Sequence, residues 1–151
     1  MKTNDYKLIN IKKENISELA AVFTDVFTNE PWNYTWLSGE NVRRYLGDLA
    51  ATPKFLGFAY KSGNPAAGAC FGIVNDYFSA PAYEIKEIYV ARKTQRAGVG
   101  SAMLKLIEAE LSKIGISAVT LFTQRKIPAY DFYIKNGYRV SDDAVYFSKM
   151  L

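Results

Sequence analysis

Two glycines set two residues apart, Gly98 and Gly100, follow an apolar strand and a basic loop and open an amphipathic helix. The segment reads Ile88-Tyr89-Val90-Ala91-Arg92-Lys93-Thr94-Gln95-Arg96-Ala97-Gly98-Val99-Gly100-Ser101. The first turn of a helix carries free amides and a partial positive charge, and glycines let a phosphate come close to them. The chemistry on offer is therefore anion binding, with Lys93 and Arg96 adding charge. Two phosphate loops are excluded. No Gly-x-x-x-x-Gly-Lys-Ser/Thr occurs, and Met103 stands where Gly-x-Gly-x-x-Gly needs its third glycine. The chain has no histidine. That removes Ser-His-Asp and Cys-His hydrolases, histidine general bases, and histidine-ligated zinc or haem. Chemistry here must use carboxylates, Tyr, Lys, Ser/Thr, backbone amides or a bound cofactor. The one cysteine, Cys70, lies in the apolar run Ala66 to Val74 and reads as a small buried hydrophobe. A single cysteine also forbids an intrachain disulfide and a Cys-x-x-Cys metal site.

The elements that must hold this corner follow from periodicity. Tyr6 to Ile11 alternates as a strand, and a helix begins near Asn15 with Ile16, Leu19, Ala20, Val22, Phe23, Val26 and Phe27 at helical spacing. Glu30-Pro31-Trp32 ends it and opens an aromatic link holding Trp32, Tyr34 and Trp36. Ser38 caps a second helix, and Phe55 to Lys61 with Ala66 to Tyr77 makes a hairpin. Ser79-Ala80-Pro81 breaks the chain before a strand from Tyr83 to Val90. A helix from Gly98 to Ile114, a strand from Ala118 to Thr123 and a short helix from Pro128 to Asn136 follow. Tyr138 to Val140 and Ala144 to Lys149 read as two closing strands. The order β-α-α-β-β-β-α-β-α-β-β predicts an α/β (α+β) chain with a mixed sheet flanked by helices.

The length of 151 residues, with 49% hydrophobic and 23% charged side chains, fits one domain over residues 1–151. The charge of +4 and pI near 9.1 suit an anionic ligand. The basic residues are spread along the chain rather than gathered in a stripe, which speaks against a nucleic-acid partner. The first residues lack an apolar signal-peptide core and no run reaches membrane-spanning length, so no membrane partner and a cytoplasmic location are expected.

Gln95-x-x-Gly98-x-Gly100 resembles the acetyl-CoA motif of the GNAT superfamily of N-acetyltransferases, Gln/Arg-x-x-Gly-x-Gly/Ala, at the usual distance after a strand ending in Val90. Ala129-Tyr130-Asp131-Phe132-Tyr133-Ile134-Lys135-Asn136-Gly137-Tyr138 resembles the superfamily's second signature, Ala-x-x-Phe/Leu-Tyr-x-Lys-x-Gly-Phe. The element order resembles that fold along the whole chain. The resemblance implies a single N-acetyltransferase domain: a mixed central sheet of about seven strands, four flanking helices, and strands splayed at the acetyl-CoA site. Acetyl-CoA would be the co-substrate, with no metal. The pyrophosphate would sit on Gln95, Arg96, Ala97, Gly98, Val99, Gly100 and Ser101. Ile88, Tyr89 and Val90 would meet the pantetheine, with the Val90 amide as oxyanion donor to a tetrahedral intermediate. Ala129 and Phe132 belong to the cofactor side. Two positions depart from the pattern. Ala97 stands where many members carry Gly, Lys or Arg, and Lys126 stands where Asn is common; Lys126 either reaches a CoA phosphate or lies exposed.

The resemblance also implies an amine acceptor, small molecule or protein, attacking directly in a ternary complex. Tyr133 matches the family's general-acid tyrosine. Glu84 and Glu87 are the candidate bases, Glu84 slightly ahead because its place is close to where histone-type members put theirs. The two have opposite parity on a regular strand, so only a bulge would turn both into one cleft. Trp32, Tyr34, Trp36 and Asp76 are the acceptor-side candidates. A non-catalytic acyl-CoA-binding sensor on the same fold is the rival reading, and it would need neither Tyr133 nor a strand carboxylate. Homodimers are common among members.

Overall fold

A computed structural model describes residues 5–35, 37–77 and 80–151. The acceptor-side candidate Trp36 lies outside the described residues. The elements in order are β1 (Lys7–Asn10), α1 (Ile16–Phe27), α2 (Gly39–Ala50), β2 (Phe55–Lys61), β3 (Gly68–Tyr77), β4 (Ala80–Val90), α3 (Val99–Lys113), β5 (Ala118–Leu121) and α4 (Pro128–Lys135). Short 3-10 turns occupy Lys13–Asn15 and Arg92–Thr94.

Both N-terminal helices follow their sequence patterns. The apolar stripe of α1 is buried from Ile16 through Phe27. The start of α2 is closed reciprocally, Asn41 N–H donating to Ser38 Oγ (3.2 Å) and Ser38 N–H to Asn41 Oδ1 (2.8 Å). Helix α3 starts at Gly98, whose φ of +77° is a left-handed conformation that glycine adopts without strain.

The sheet order is β1-β2-β3-β4-β5, an antiparallel meander closed by a parallel β4–β5 pair. One face packs on α1 and α2 through Leu19, Val22, Phe23, Val42, Leu46, Phe71 and Tyr89. The other packs on α3 and α4 through Tyr83, Ile85, Val99, Met103, Leu104, Ile107 and Tyr133. Cys70 belongs to this second core and has no exposed surface. Burial pushes its thiol up to about 12, so it is an inert apolar neighbour, as its setting in the sequence implied. Among the described residues no helix is long and apolar enough to cross a membrane.

The structure corrects the sequence reading in two places. Strand β4 begins at Ala80, three residues before the expected Tyr83, with Pro81 opposite Asp76 in its second pair. A proline is tolerated at a strand's start, where one missing donor costs little. The two closing strands do not form: residues 139–151 hold no helix or strand, and the described sheet has five strands rather than about seven. Val145, Tyr146 and Phe147 have strand-forming side chains, but a strand exists only by pairing. The pattern marks side chains suited to burial without saying what covers them.

Candidate functional site

The site begins with one extra residue in β4. Gly72 pairs with Ile85 and Phe71 with Glu87, so Lys86 has no opposite number and forms a bulge. Above it Tyr83 and Ile85 face the α3 side. Below it Ile88 and Val90 do so, while Glu87 and Tyr89 face the α1–α2 side. Glu84 pairs with Ile73 and Glu87 with Phe71, two same-face positions of β3. The bulge therefore cancels the opposite parity of Glu84 and Glu87, and both lie on the α1–α2 face.

The same region opens the sheet. Strand β5 pairs with β4 only from Ala82 to Ile85, and its last pair is Ile85 with Leu121. Beyond it, β4 runs on to Val90 without β5 alongside. Ala91 N–H donates to Ala67 O (2.8 Å). By alternation along the strand, the amides of Ile88 and Val90 point away from β3, toward the gap. Gln95 Nε2 closes the Val90 carbonyl at 2.9 Å, leaving the Val90 amide as the group directed into the opening.

A cavity of about 740 Å³ passes through this split. On one side it is walled by Phe23, Phe27, Trp32, Tyr34 and Tyr45, and on the other by Leu121, Phe122, Ala129 and Tyr133. Lys86, Glu87 and Ile88 cross its floor. Burial raises the Glu87 carboxyl above the usual carboxylate range. Tyr45 O–H donates to Glu87 Oε1 at 2.6 Å, which partly offsets that rise. Burial also raises the Tyr133 hydroxyl, with the neighbouring Cys70 and Glu87 adding to the effect. Tyr133 is 6% exposed, and its ring meets Phe132 and Tyr138, each with centroids 5.3 Å apart.

The two carboxylates thus differ. Lys86 Nζ donates to Glu84 Oε1 (2.6 Å) and Asn75 Nδ2 to Glu84 Oε2 (3.0 Å). The bond from Lys86, with Asn75 helping and burial opposing, holds Glu84 below the usual range. Glu84 does not line the cavity, and Glu87 does. Asp76 is ion-paired with Lys54 and is also outside the lining, whereas Trp32 and Tyr34 are in it. Tyr45 went unnoticed in the sequence: it sits on the apolar stripe of α2, 42 residues from Glu87, and no local pattern links the two. Asp48, Arg44 and Phe122 also line the cavity without a sequence signal.

The glycine corner stands at the lower end of the gap. Arg96 and Gly98 both have left-handed backbones, φ +60° and +77°, which bend the loop back onto the start of α3. The first bond inside α3 runs from Ala102 N–H to Gly98 O, so the amides of Val99, Gly100 and Ser101 have no carbonyl to serve within the helix. A Cβ on Gly100 would lie 3.2 Å from Phe132 and 3.4 Å from Val90, a tight fit that the Phe132 ring would have to ease by a few tenths of an ångström. Gln95, Arg96, Ala97 and Lys126 are exposed. Free helix-start amides, a close-approach glycine and a strand amide facing a gap fit a pyrophosphate followed by a pantetheine arm. Among the described residues no group of three or more Cys, Asp or Glu side chains gathers to hold a metal ion.

Solved structures of known proteins share this architecture. An aminoglycoside acetyltransferase from an uncultured soil metagenomic sample, solved with sisomicin, has a TM-score of 0.75 and 19% identity over 98% of this chain and 97% of its own. An integron cassette protein from the mobile metagenome of V. cholerae has a TM-score of 0.80 at 12% identity, covering 97% and 93%. A Trypanosoma brucei acetyltransferase has a TM-score of 0.68 at 16% identity, covering 95% and 99%. No curated protein sequence matches the chain. The family model described as acetyltransferase (GNAT) family matches residues 18–138, spanning both the glycine corner and α4. The chain is a member of the GNAT acetyltransferase family.

Proposed function

We propose that this acetyltransferase is an N-acetyltransferase of the cytoplasm that moves the acetyl group of acetyl-CoA to a small amine by direct attack in a ternary complex. The observation that carries the reading is the joint presence of Glu87 and Tyr133 on one cavity at the β4–β5 gap. Bound acetyl-CoA supplies an activated acetyl group and a sulfur leaving group. Gln95 to Ser101 hold its pyrophosphate, and Ile88 to Val90 with Ala129 and Phe132 line the arm. Glu87, its carboxyl raised by burial, takes the proton an ammonium acceptor must lose, directly or through water. The Val90 amide supports negative charge on the acetyl oxygen. Tyr133 keeps its proton at neutral pH and delivers it to sulfur.

A cavity of about 740 Å³ is sized for a small molecule, since such pockets run about 300–1,000 Å³. Its aromatic wall of Phe27, Trp32 and Tyr34 suits an apolar or cationic body, and Asp48 and Glu87 suit its ammonium. Aminoglycosides belong in the acceptor panel because a structural relative acts on them. The test is thiol release from acetyl-CoA across amines, aminoglycosides and a lysine peptide. Turnover with at least one amine, cut by Glu87→Gln, is the expected outcome. Saturable acetyl-CoA binding with no turnover on any of them would move the reading to the sensor.

A further inference from the structure

The cavity at the gap is charged as well as aromatic. Among the described residues its wall carries two cations, Arg44 and Lys86, and two carboxylates, Asp48 and Glu87. Arg44 and Asp48 stand four residues apart on α2, the spacing of an intrahelical ion pair. No such pair forms, and no ion pair or hydrogen bond among the described residues engages the Arg44 guanidinium. Its neighbours on the wall are committed. Asn41 closes the start of α2 with Ser38, Lys86 pairs with Glu84 at 2.6 Å, and Tyr45 donates to Glu87. Arg44 is therefore a cation on the wall whose fork of donors is left for a ligand.

The rest of this wall is a run of rings. Phe27 stacks on Tyr34 with centroids 6.1 Å apart and meets Trp32 at 5.3 Å. Phe23 joins Phe27 (4.4 Å) to Tyr45 (6.5 Å). The rings thus lead from the link before α2 to the hydroxyl that holds Glu87. We propose that the acceptor is an α-amino acid with an aromatic side chain, its ring among Phe27, Trp32 and Tyr34, its ammonium at Glu87 and its carboxylate on the Arg44 guanidinium. This rests on the acetyl-transfer reading above and adds the acceptor's chemistry to it.

The charges select for a zwitterion. The two cations and two carboxylates of the wall balance, so a ligand with one charge of each sign matches it. A polycation would bring ammonium groups against Arg44 and Lys86, and a bare carboxylate would meet Asp48 and Glu87. A guanidinium presents paired donors in the plane of a carboxylate, which fixes the ligand's orientation as well as its charge. Part of the cavity of about 740 Å³ is the gap that the pantetheine arm enters, so the remainder suits a body of one ring or two. In the transfer, the amino nitrogen bonds to the acetyl carbon as the carbon–sulfur bond breaks, giving an N-acetyl amino acid and CoA. Of the two protons the ammonium loses, one leaves through Glu87 to solvent. The other balances the proton that Tyr133 gives to sulfur.

Isothermal titration into the full chain saturated with CoA, where no transfer can occur, reads binding apart from turnover. L-phenylalanine should bind roughly tenfold or more tighter than 2-phenylethylamine and L-phenylalaninamide, which lack the carboxylate, and than 3-phenylpropionate, which lacks the ammonium. In acetyl transfer, Arg44→Ala should raise KM for L-phenylalanine roughly 10–100-fold relative to KM for 2-phenylethylamine, and Arg44→Glu should reverse the preference. Arg44 is exposed and alanine favours a helix, so the fold should persist, as circular dichroism would show. Equal binding of the amine and the amino acid overturns the proposal, as does a preference that survives both substitutions. Discriminating binding with no thiol release from acetyl-CoA would keep the amino-acid site and remove the transfer reading. Thiol release with other amines and no binding of the amino acid would do the reverse.

Discussion

At the scale of single residues, the contrast between Glu84 and Glu87 is the sharpest. Glu84 is held by Lys86 and Asn75, while Glu87 is half-buried on the cavity with one hydroxyl partner. Glu87→Gln is expected to lower turnover by roughly 10²–10⁴-fold with acetyl-CoA affinity kept, and Glu84→Gln to leave turnover within a few-fold. Steady-state rates with isothermal binding of acetyl-CoA separate the two. Tyr133→Phe should cost on the order of 100-fold in turnover at unchanged acetyl-CoA affinity; a full-rate variant removes the assignment. Tyr45 gives a pH signature. A base works deprotonated, so the rate falls as pH drops through its pKa. Burial raises that pKa and the Tyr45 bond lowers it. Tyr45→Phe must therefore move the acid limb of kcat/KM to higher pH. An unmoved limb would mean that Glu87 is not the group titrating.

Elements differ in how much of them the sequence discloses. The corner from Gln95 to Ser101 is local chemistry, a turn of two left-handed residues leading into a helix start, and its residue types announce it. The stripe of α1 and the cap of α2 are equally local. The face taken by Glu87 is not local, because it depends on which residue of β3 lies opposite, and pairing register leaves no mark on β4 alone. The same holds for the closing strands, whose side chains promised a ladder that no described neighbour completes. Glycine substitutions probe these elements. Gly98→Ala forces a Cβ into a left-handed backbone and should cost about 1 kcal/mol and weaken acetyl-CoA binding. Gly72→Ala would drive a methyl into the Tyr83 ring, whose hydroxyl donates to Leu56 O at 2.7 Å. A loss of roughly 1–3 kcal/mol in denaturant unfolding is expected, since a packed ring must shift.

For the molecule as a whole, one cavity joins the two faces of the sheet, with α1 and α2 on one side and β5 and α4 on the other. Acetyl-CoA bound there should raise the unfolding temperature as its concentration rises, by mass action. Scanning calorimetry over a range of acetyl-CoA concentrations reads this directly, and an invariant midpoint counts against binding at the gap. The bulge has a consequence of a different kind. At Lys86 the strand steps over one residue, so the ladder on either side of it pairs as though Lys86 were absent. Lys86→Ala keeps the count and should leave the fold standing. Loss of the single codon would make Ile85 and Glu87 neighbours opposite Gly72 and Phe71, a regular ladder in which Glu87 and Tyr89 still face α1 and α2 and Ile88 and Val90 still face α3. Lys86 is thus the residue β4 can lose with its faces kept, whereas a deletion at a paired position beyond it would turn the side chains on one side of the cut to the opposite face.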